Sequence, residues 1–261
     1  MTIVNVTPDS FFSASRTNAA AEIESRMVAS ERDGASIIDI GGYSSRPGAD
    51  DISPDEEWTR VARALEVARR VVPDMTISLD TFRSYVARRA VEEFGAMIIN
   101  DISAGEIDPE IQDVAAEYKL PYIAMHMRGV PGTMQGLTDY TDVVAQVRDY
   151  FVEKIAALKA KGVEQIVIDP GFGFAKSLEQ NYTLLGSLSE LKELGCPILS
   201  ALSRKSMIYK LLATTSEEAL AGTIALGWES LRQGATILRV HDTREAVETI
   251  KIFKALEQNR R

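Results

Sequence analysis

Eight short apolar runs in this sequence each close on side chains that can do chemistry: Asn5, Asp39, Asp80, Asn100 with Asp101, His126, Asp169, Ser203-Arg204-Lys205, and Arg239 with His241. Taken singly, a strand-terminal Asp or Asn often caps the next helix or makes a turn. Taken together they call for another reason, because helix caps do not require amides, carboxylates and bases all at the ends of strands. Asp80, Asn100 and Asp169 are acceptors suited to a heterocycle with amino and ring N–H groups, each of which needs a partner once buried. Arg46, Lys205, Arg239 and His241 are of the opposite kind and suit an anion, Arg by its bidentate fork. These residues predict one pocket with an acidic floor and a basic rim.

Smaller signals refine that pocket. Asp169-Pro170-Gly171-Phe172-Gly173-Phe174 sets two glycines just after a carboxylate, where backbone or a flat ligand can approach, with Phe174 as an aromatic wall. Ser206 opens a helix expected over Met207–Leu212, whose first N–H groups offer a place for a carboxylate or phosphate. Arg239 and His241 lie two apart on one strand and so share a face. His126 reads as a structural histidine, and the two histidines lack the HxxxH spacing of a protein-held zinc site.

The elements that must position these groups follow from the hydrophobic pattern. The runs 3–6, 36–40, 76–80, 97–101, 122–126, 165–169, 198–203 and 236–241 are mostly apolar on both faces, as parallel strands between two layers are. Between them lie amphipathic segments, such as the stripe Trp58, Val61, Leu65 and Ala68 introduced by Ser53-Pro54-Asp55-Glu56. Gly34, Gly95, Gly162, Gly195 and Gly234 each fall between a helix and the next strand, where a left-handed turn is needed. The repeating β-α rhythm predicts an α/β chain, an eight-stranded (β/α)8 TIM barrel in one domain over residues 1–261. Two strand-to-helix connections, 7–18 and 41–51, are long and rich in small residues, a mark of functional loops.

Composition narrows the function classes. With 29 Lys+Arg against 38 Asp+Glu the net charge is −9, which argues against nucleic acid or an anionic membrane surface as partner. The single cysteine, Cys196, cannot form an intrachain disulfide and fits a reducing, cytoplasmic setting. No apolar run approaches bilayer-spanning length and no basic leader opens the chain.

Six segments, in order, carry a resemblance to the dihydropteroate synthases: Asn5-Val6-Thr7-Pro8-Asp9-Ser10-Phe11, Gly41-Gly42-Tyr43-Ser44-Ser45-Arg46-Pro47-Gly48, Asn100-Asp101, Asp169 to Phe174, Ser203 to Ser206, and Arg239-Val240-His241-Asp242. The resemblance runs nearly end to end. It implies a transferase of folate synthesis that condenses 6-hydroxymethyl-7,8-dihydropterin diphosphate, bound with Mg2+, with 4-aminobenzoate and expels pyrophosphate. It places the pterin deep, on Asp80, Asn100 and Asp169 with Lys205 at its ring. Arg239 and His241 take the diphosphate, with Asn5 at the magnesium. Asp9, Ser45, Arg46 and Pro47 come over the site on the two long connections. Phe174, Lys205, Pro47 and the N–H of Ser206 hold 4-aminobenzoate, the ligand that sulfonamides imitate. Lys205, Arg239, His241 and Asp80 are the residues it marks as catalytic, and it suggests a homodimer.

Three departures from the family pattern stand out. Ser45 replaces a commoner threonine, Tyr43 a commoner acidic residue, and Phe12-Ser13-Ala14-Ser15 a glycine-containing stretch. The first run also begins at Ile3, without the short lead-in of many members, which predicts an incompletely closed N-terminal face. Two alternatives remain at this level. A pterin-binding methyltransferase module of similar fold would have no duty for the cations, and a non-catalytic pterin-binding paralogue would have no need of the complete set.

Overall fold

Each expected run forms a strand, because β-branched and aliphatic residues fill both faces of a sheet lying between an inner and an outer layer. The computed structural model describes residues 1–7, 16–44, 51–130 and 132–260. The strands are β1 (Thr2–Asn5), β2 (Ile37–Gly41), β3 (Thr76–Asp80), β4 (Ile98–Asp101), β5 (Tyr122–Met125), β6 (Ile166–Asp169), β7 (Leu199–Ser200) and β8 (Ile237–Leu238). The helices are α1 (Arg16–Arg32), α2 (Pro54–Val71), α3 (Ser84–Phe94), α4 (Glu110–Glu117), α5 (Val143–Ala160), α6 (Leu178–Gly186), a short α7 (Ser206–Tyr209), α8 (Leu220–Arg232) and α9 (Thr243–Gln258).

All the pairings are parallel. β1 to β6 join in chain order and β7 pairs with β8. The ring closes through two narrow seams, the bridge Ile168↔Ile198 between β6 and β7 and the bridge Thr2↔Val240 between β8 and β1. At the second seam Ile3 donates to the Val240 carbonyl, Val240 to that of Met1, and the Met1 ammonium to that of Leu238, each at 3.0 Å. The incomplete closure expected at the N-terminal face is therefore not found at this seam: Met1 makes two of its three hydrogen bonds and Ile3 the third.

Outward-facing Val4, Ile38, Ile40, Leu79, Ile99 and Ile168 meet the buried faces of the helices in one continuous core, among them Val61, Leu65, Val86, Ile111, Val147 and Phe151. Burying each large side chain contributes about 1.5–3 kcal/mol. The predicted stripe of α2 is buried, and Ser53 caps the helix by accepting from the Glu56 amide at 3.2 Å, with Pro54 at its first position. The five predicted turn glycines all have positive φ, between 70° and 105°. The helix expected over Met207–Leu212 is shorter, because Ala213 (φ 51°) turns the chain and leaves Leu211 and Leu212 exposed.

Asp101, one of the strand-end carboxylates, belongs to the fold. It is buried facing the helix layer, where it accepts from the Ser103 amide (2.7 Å) and hydroxyl (2.8 Å), the Gly105 amide (2.6 Å) and the Tyr122 hydroxyl (2.5 Å). Removing the acceptor strands all four donors, so Asp101→Ala should cost about 3 kcal/mol or more in urea unfolding. A loss below about 1 kcal/mol would mean that solvent or a neighbour satisfies them instead.

Candidate active site

Side chains alternate along a strand, so the residue two places beyond each one in the barrel's apolar floor points the same way, one step nearer the C-terminal mouth. The floor packs Met1, Ile98, Ile123, Val167, Leu199, Ala201 and Ile237 together. Two residues on from these stand Ile3 on β1, Asn100 on β4, Met125 on β5, Asp169 on β6, Ser203 after β7 and Arg239 just after β8. The layer above the floor is thus polar apart from Ile3 and from Met125, which joins Phe82, Ile102, Met127, Met134 and Ala175, with Tyr43 and Phe174 against them, in an apolar wall.

At the centre of the polar layer Arg239 donates from Nε to Asp39 Oδ2 at 2.6 Å and from Nη2 to Asp80 Oδ2 at 2.5 Å. Asn100 donates from Nδ2 to both oxygens of Asp39, at 3.2 Å. Burial opposes the charge on Arg239, yet Asp39 and Asp80 outweigh it and raise the guanidinium's pKa. Burial lifts the Asp80 carboxyl to about 7, with Arg239 pulling it back toward the ionised form. Asp169 accepts from the Gly171 amide at 2.8 Å; burial raises its pKa while Lys205 and that amide hold it down.

Lys205 reaches the same space from the turn after β7. Its ammonium donates to the Phe172 carbonyl and lies 4.6 Å from the centre of the Phe174 ring. Burial lowers it to about 8, against the pull of Asp169. Ser203 Oγ lies 3.1 Å from His241 Nδ1 and accepts from the His241 amide at 3.1 Å, fixing the ring. Burial, then Arg239, lowers His241 to about 4, so it is neutral near pH 7.

A cavity of about 600 Å³ opens here, and Asn5, Asp80, Phe174, Lys205, Ser206, Arg239 and His241 all line it. Asn100 and Asp169 are 4% and 3% exposed and lie behind its surface rather than on it. Asp9, Ser45, Arg46 and Pro47 fall outside the described residues, as does the departure Phe12–Ser15. Two features correct the expected acid floor and basic rim. Arg239 sits among the acids, because a guanidinium on an inward strand position finds buried carboxylates to pair with before it finds solvent. His241 is a neutral hydrogen-bonding group, because burial beside Arg239 disfavours a second cation.

His126 proves structural, buried outside the ring with its imidazole between Tyr140, Tyr150 and Phe151. Several site residues had no assigned part, Asp39, Tyr43 and Met134 among them. Asp39 closes the Arg239 pair, and its signal was a carboxylate within the apolar run 36–40. Tyr43 and Met134 line the cavity. Tyr43 stands edge-on to Phe82, ring centres 5.0 Å apart, under the Arg83 guanidinium, which Glu57 holds at 2.8 Å. Nothing in the local sequence marked Met134.

A family model for pterin binding enzymes matches residues 1–241. The chain belongs to the pterin-binding enzyme family. A dihydropteroate synthase of Synechocystis sp. is 44% identical over 259 residues, covering 98% of this chain and 89% of the relative. The solved structure of Xanthomonas albilineans dihydropteroate synthase with 4-aminobenzoic acid superposes with a TM-score of 0.89 at 37% identity, covering 98% of this chain and 91% of that one. The Yersinia pestis dihydropteroate synthase in complex with a sulfonamide drug gives 0.88 at 37% identity, covering 98% and 93%. The family likeness bears out the barrel. In this pterin-binding enzyme Asp39, Asp80, Asn100 and Asp169 lie at the base of the cavity, with Lys205 near enough to Asp169 and Asp80 to feel both charges.

Those pKa values set a pH window for pterin affinity measured by calorimetry. It should rise as the pH passes about 7 and Asp80 ionises, then fall beyond about 8 as Lys205 loses its proton. Asp80→Asn should abolish the acid limb at whatever affinity remains; an acid limb that persists belongs to another group.

Proposed function

We propose that the chain works as a dihydropteroate synthase, joining 6-hydroxymethyl-7,8-dihydropterin diphosphate to 4-aminobenzoate. The observation that carries this reading is the charge at the base of the cavity. Three carboxylates, Asp39, Asp80 and Asp169, stand there against two cations, Arg239 and Lys205. With all five ionised, one negative charge is left over in a poorly screened place.

That excess suits the bond changes. The methylene–oxygen bond to the diphosphate breaks, and its electron pair leaves with pyrophosphate. The positive charge left on the methylene spreads into the pterin ring, where fixed carboxylates stabilise it without reorganising. The arylamine nitrogen then forms the new bond to the methylene and gives up a proton, which the departing pyrophosphate can accept. Arg239 contributes by holding Asp80 toward its ionised form. Lys205 bridges the two halves, since it lies beside the carboxylates and over the Phe174 ring that would flank the arylamine. Ser206 lines the same end of the cavity and would meet the arylamine's carboxylate. His241, with Asn5, would meet the diphosphate as a neutral partner. Asp9, Ser45, Arg46 and Pro47 complete the site in this reading.

Magnesium belongs to the proposal as an ion carried with the diphosphate. The described residues hold no group of three or more His, Cys, Asp or Glu side chains able to bind a metal. That donor set fits an ion held mostly by phosphate oxygens and water, with the Asn5 side-chain carbonyl as the protein's oxygen donor. Its chemistry would be to offset the leaving group's charge. A homodimer is also proposed. Ile252 and Leu256, 62% and 45% exposed, lie one turn apart on α9, which also carries Phe253 against Trp228 of α8. A cytoplasmic setting is proposed on the lone half-buried Cys196; no described helix is long and apolar enough to cross a membrane.

Purified protein should release pyrophosphate only when pterin diphosphate, magnesium and 4-aminobenzoate are all present. Release that ignores the arylamine would make the chain a hydrolase. A sulfonamide should compete with 4-aminobenzoate, because its aniline and sulfonyl groups match the two ends of that substrate; inhibition unaffected by 4-aminobenzoate would move the arylamine away from Phe174 and Lys205.

A further inference from the structure

The turn from β6 into α6 runs through three left-handed residues, Gly171 (φ 69°), Gly173 (φ 82°) and Ala175 (φ 50°). A backbone that reverses this often cannot spend its carbonyls on regular ladder bonds, and buried carbonyls must find donors elsewhere. The Gly171 carbonyl takes the Phe174 amide at 3.1 Å, and the further donor is a lysine that belongs to the turn. Lys176, only 6% exposed, curls back so that its Nζ lies 3.0 Å from the Gly171 carbonyl, 3.0 Å from the Phe174 carbonyl and 3.0 Å from His126 Nδ1. Three partners match the three protons of an ammonium.

The opposite side of the same turn is held by the active site. Lys205 donates to the Phe172 carbonyl and lies over the Phe174 ring, and the Gly173 amide donates to Asn181 Oδ1 at 2.7 Å. There is no slack on either side: a Cβ on Gly171 would fall 2.0 Å from the His126 carbonyl oxygen, and one on Gly173 3.3 Å from the Lys205 side chain. The turn is thus clamped between two lysines, one facing substrate and one behind.

We propose that Lys176 is a positioning residue for the arylamine half of the site, setting the Phe174 ring and the Phe172 carbonyl against Lys205. It touches neither substrate and acts through the turn alone. His126 serves as the rear anchor: fixed between Tyr150 and Phe151, it presents a ring nitrogen that does not move with the turn. Burial lowers Lys176 to about 7, with Asp169 opposing. The clamp is complete in either protonation state, because a neutral amine can donate to the two carbonyls and accept from His126 in its other tautomer.

The inference rests on the synthase reading, and its test separates the two. Wild-type turnover examines the function; only the variant-to-wild-type ratio examines Lys176. Lys176→Met keeps the length of the stem and removes all three bonds. It should raise the KM for 4-aminobenzoate about tenfold, the scale of one lost charged hydrogen bond, and leave the KM for the pterin diphosphate within about twofold. Lys176→Gln, which retains one donor for a carbonyl, should recover part of the arylamine KM. Equal rises in both KM values, or no change in either, would overturn the proposal. So would failure of both variants to fold, which would make Lys176 a residue of the fold rather than of the arylamine site.

Discussion

A guanidinium shared between two buried carboxylates organises this site. Arg239 reaches Asp39 on β2 and Asp80 on β3 from the end of β8, so one side chain ties together strands on both sides of β1. Buried ion pairs are poor sources of stability, since the cost of desolvating both charges rivals their attraction. Apolar residues of similar volume would serve a barrel interior equally well, as the floor beneath shows. What the charged layer supplies is an electrostatic environment: oriented acceptors, three carboxyl groups against the cations Arg239 and Lys205, and little water to screen them. In a reaction that places positive charge on a heterocycle, that is the property worth keeping.

The same layer explains the perturbed acids and bases around it. Asp80 and Asp169 are pushed up by burial and pulled down by cations, while Lys205 is pushed down and pulled up by Asp169. Each group's charge is maintained by its opposite, so no single residue can be neutralised without shifting the others. His241 stands outside this balance, because Arg239 and Arg26 are its charged neighbours as well as Asp242, and burial decides in favour of the neutral ring.

Much of this was legible in the residues, for identifiable reasons. The strands announced themselves through two-sided apolar runs, the turns through glycines at positive φ, and α2 through its cap and stripe. Asp80, Lys205 and Arg239 were legible because each ends an apolar run at the mouth of the barrel. What stayed hidden depended on direction and distance. Asp39 was visible as a carboxylate in an apolar run, but its pairing with a residue two hundred positions away was not. The neutrality of His241 comes from its burial, which spacing does not record. Lys176 carried no mark in the sequence, since nothing in Ala175-Lys176-Ser177 reveals that its side chain folds back on its own turn.

The two narrow seams of the ring bear on how the molecule works. β7 and β8 form a separate pair joined to the rest by one bridge on each flank, whereas β1 to β6 share continuous ladders. Resistance to local opening follows the density of such bonds. The section of wall that carries Ser203, Lys205, Arg239 and His241 therefore leans less on ladder bonds than on side-chain ties, chiefly those of Arg239 to Asp39 and Asp80, like a panel held by its latch.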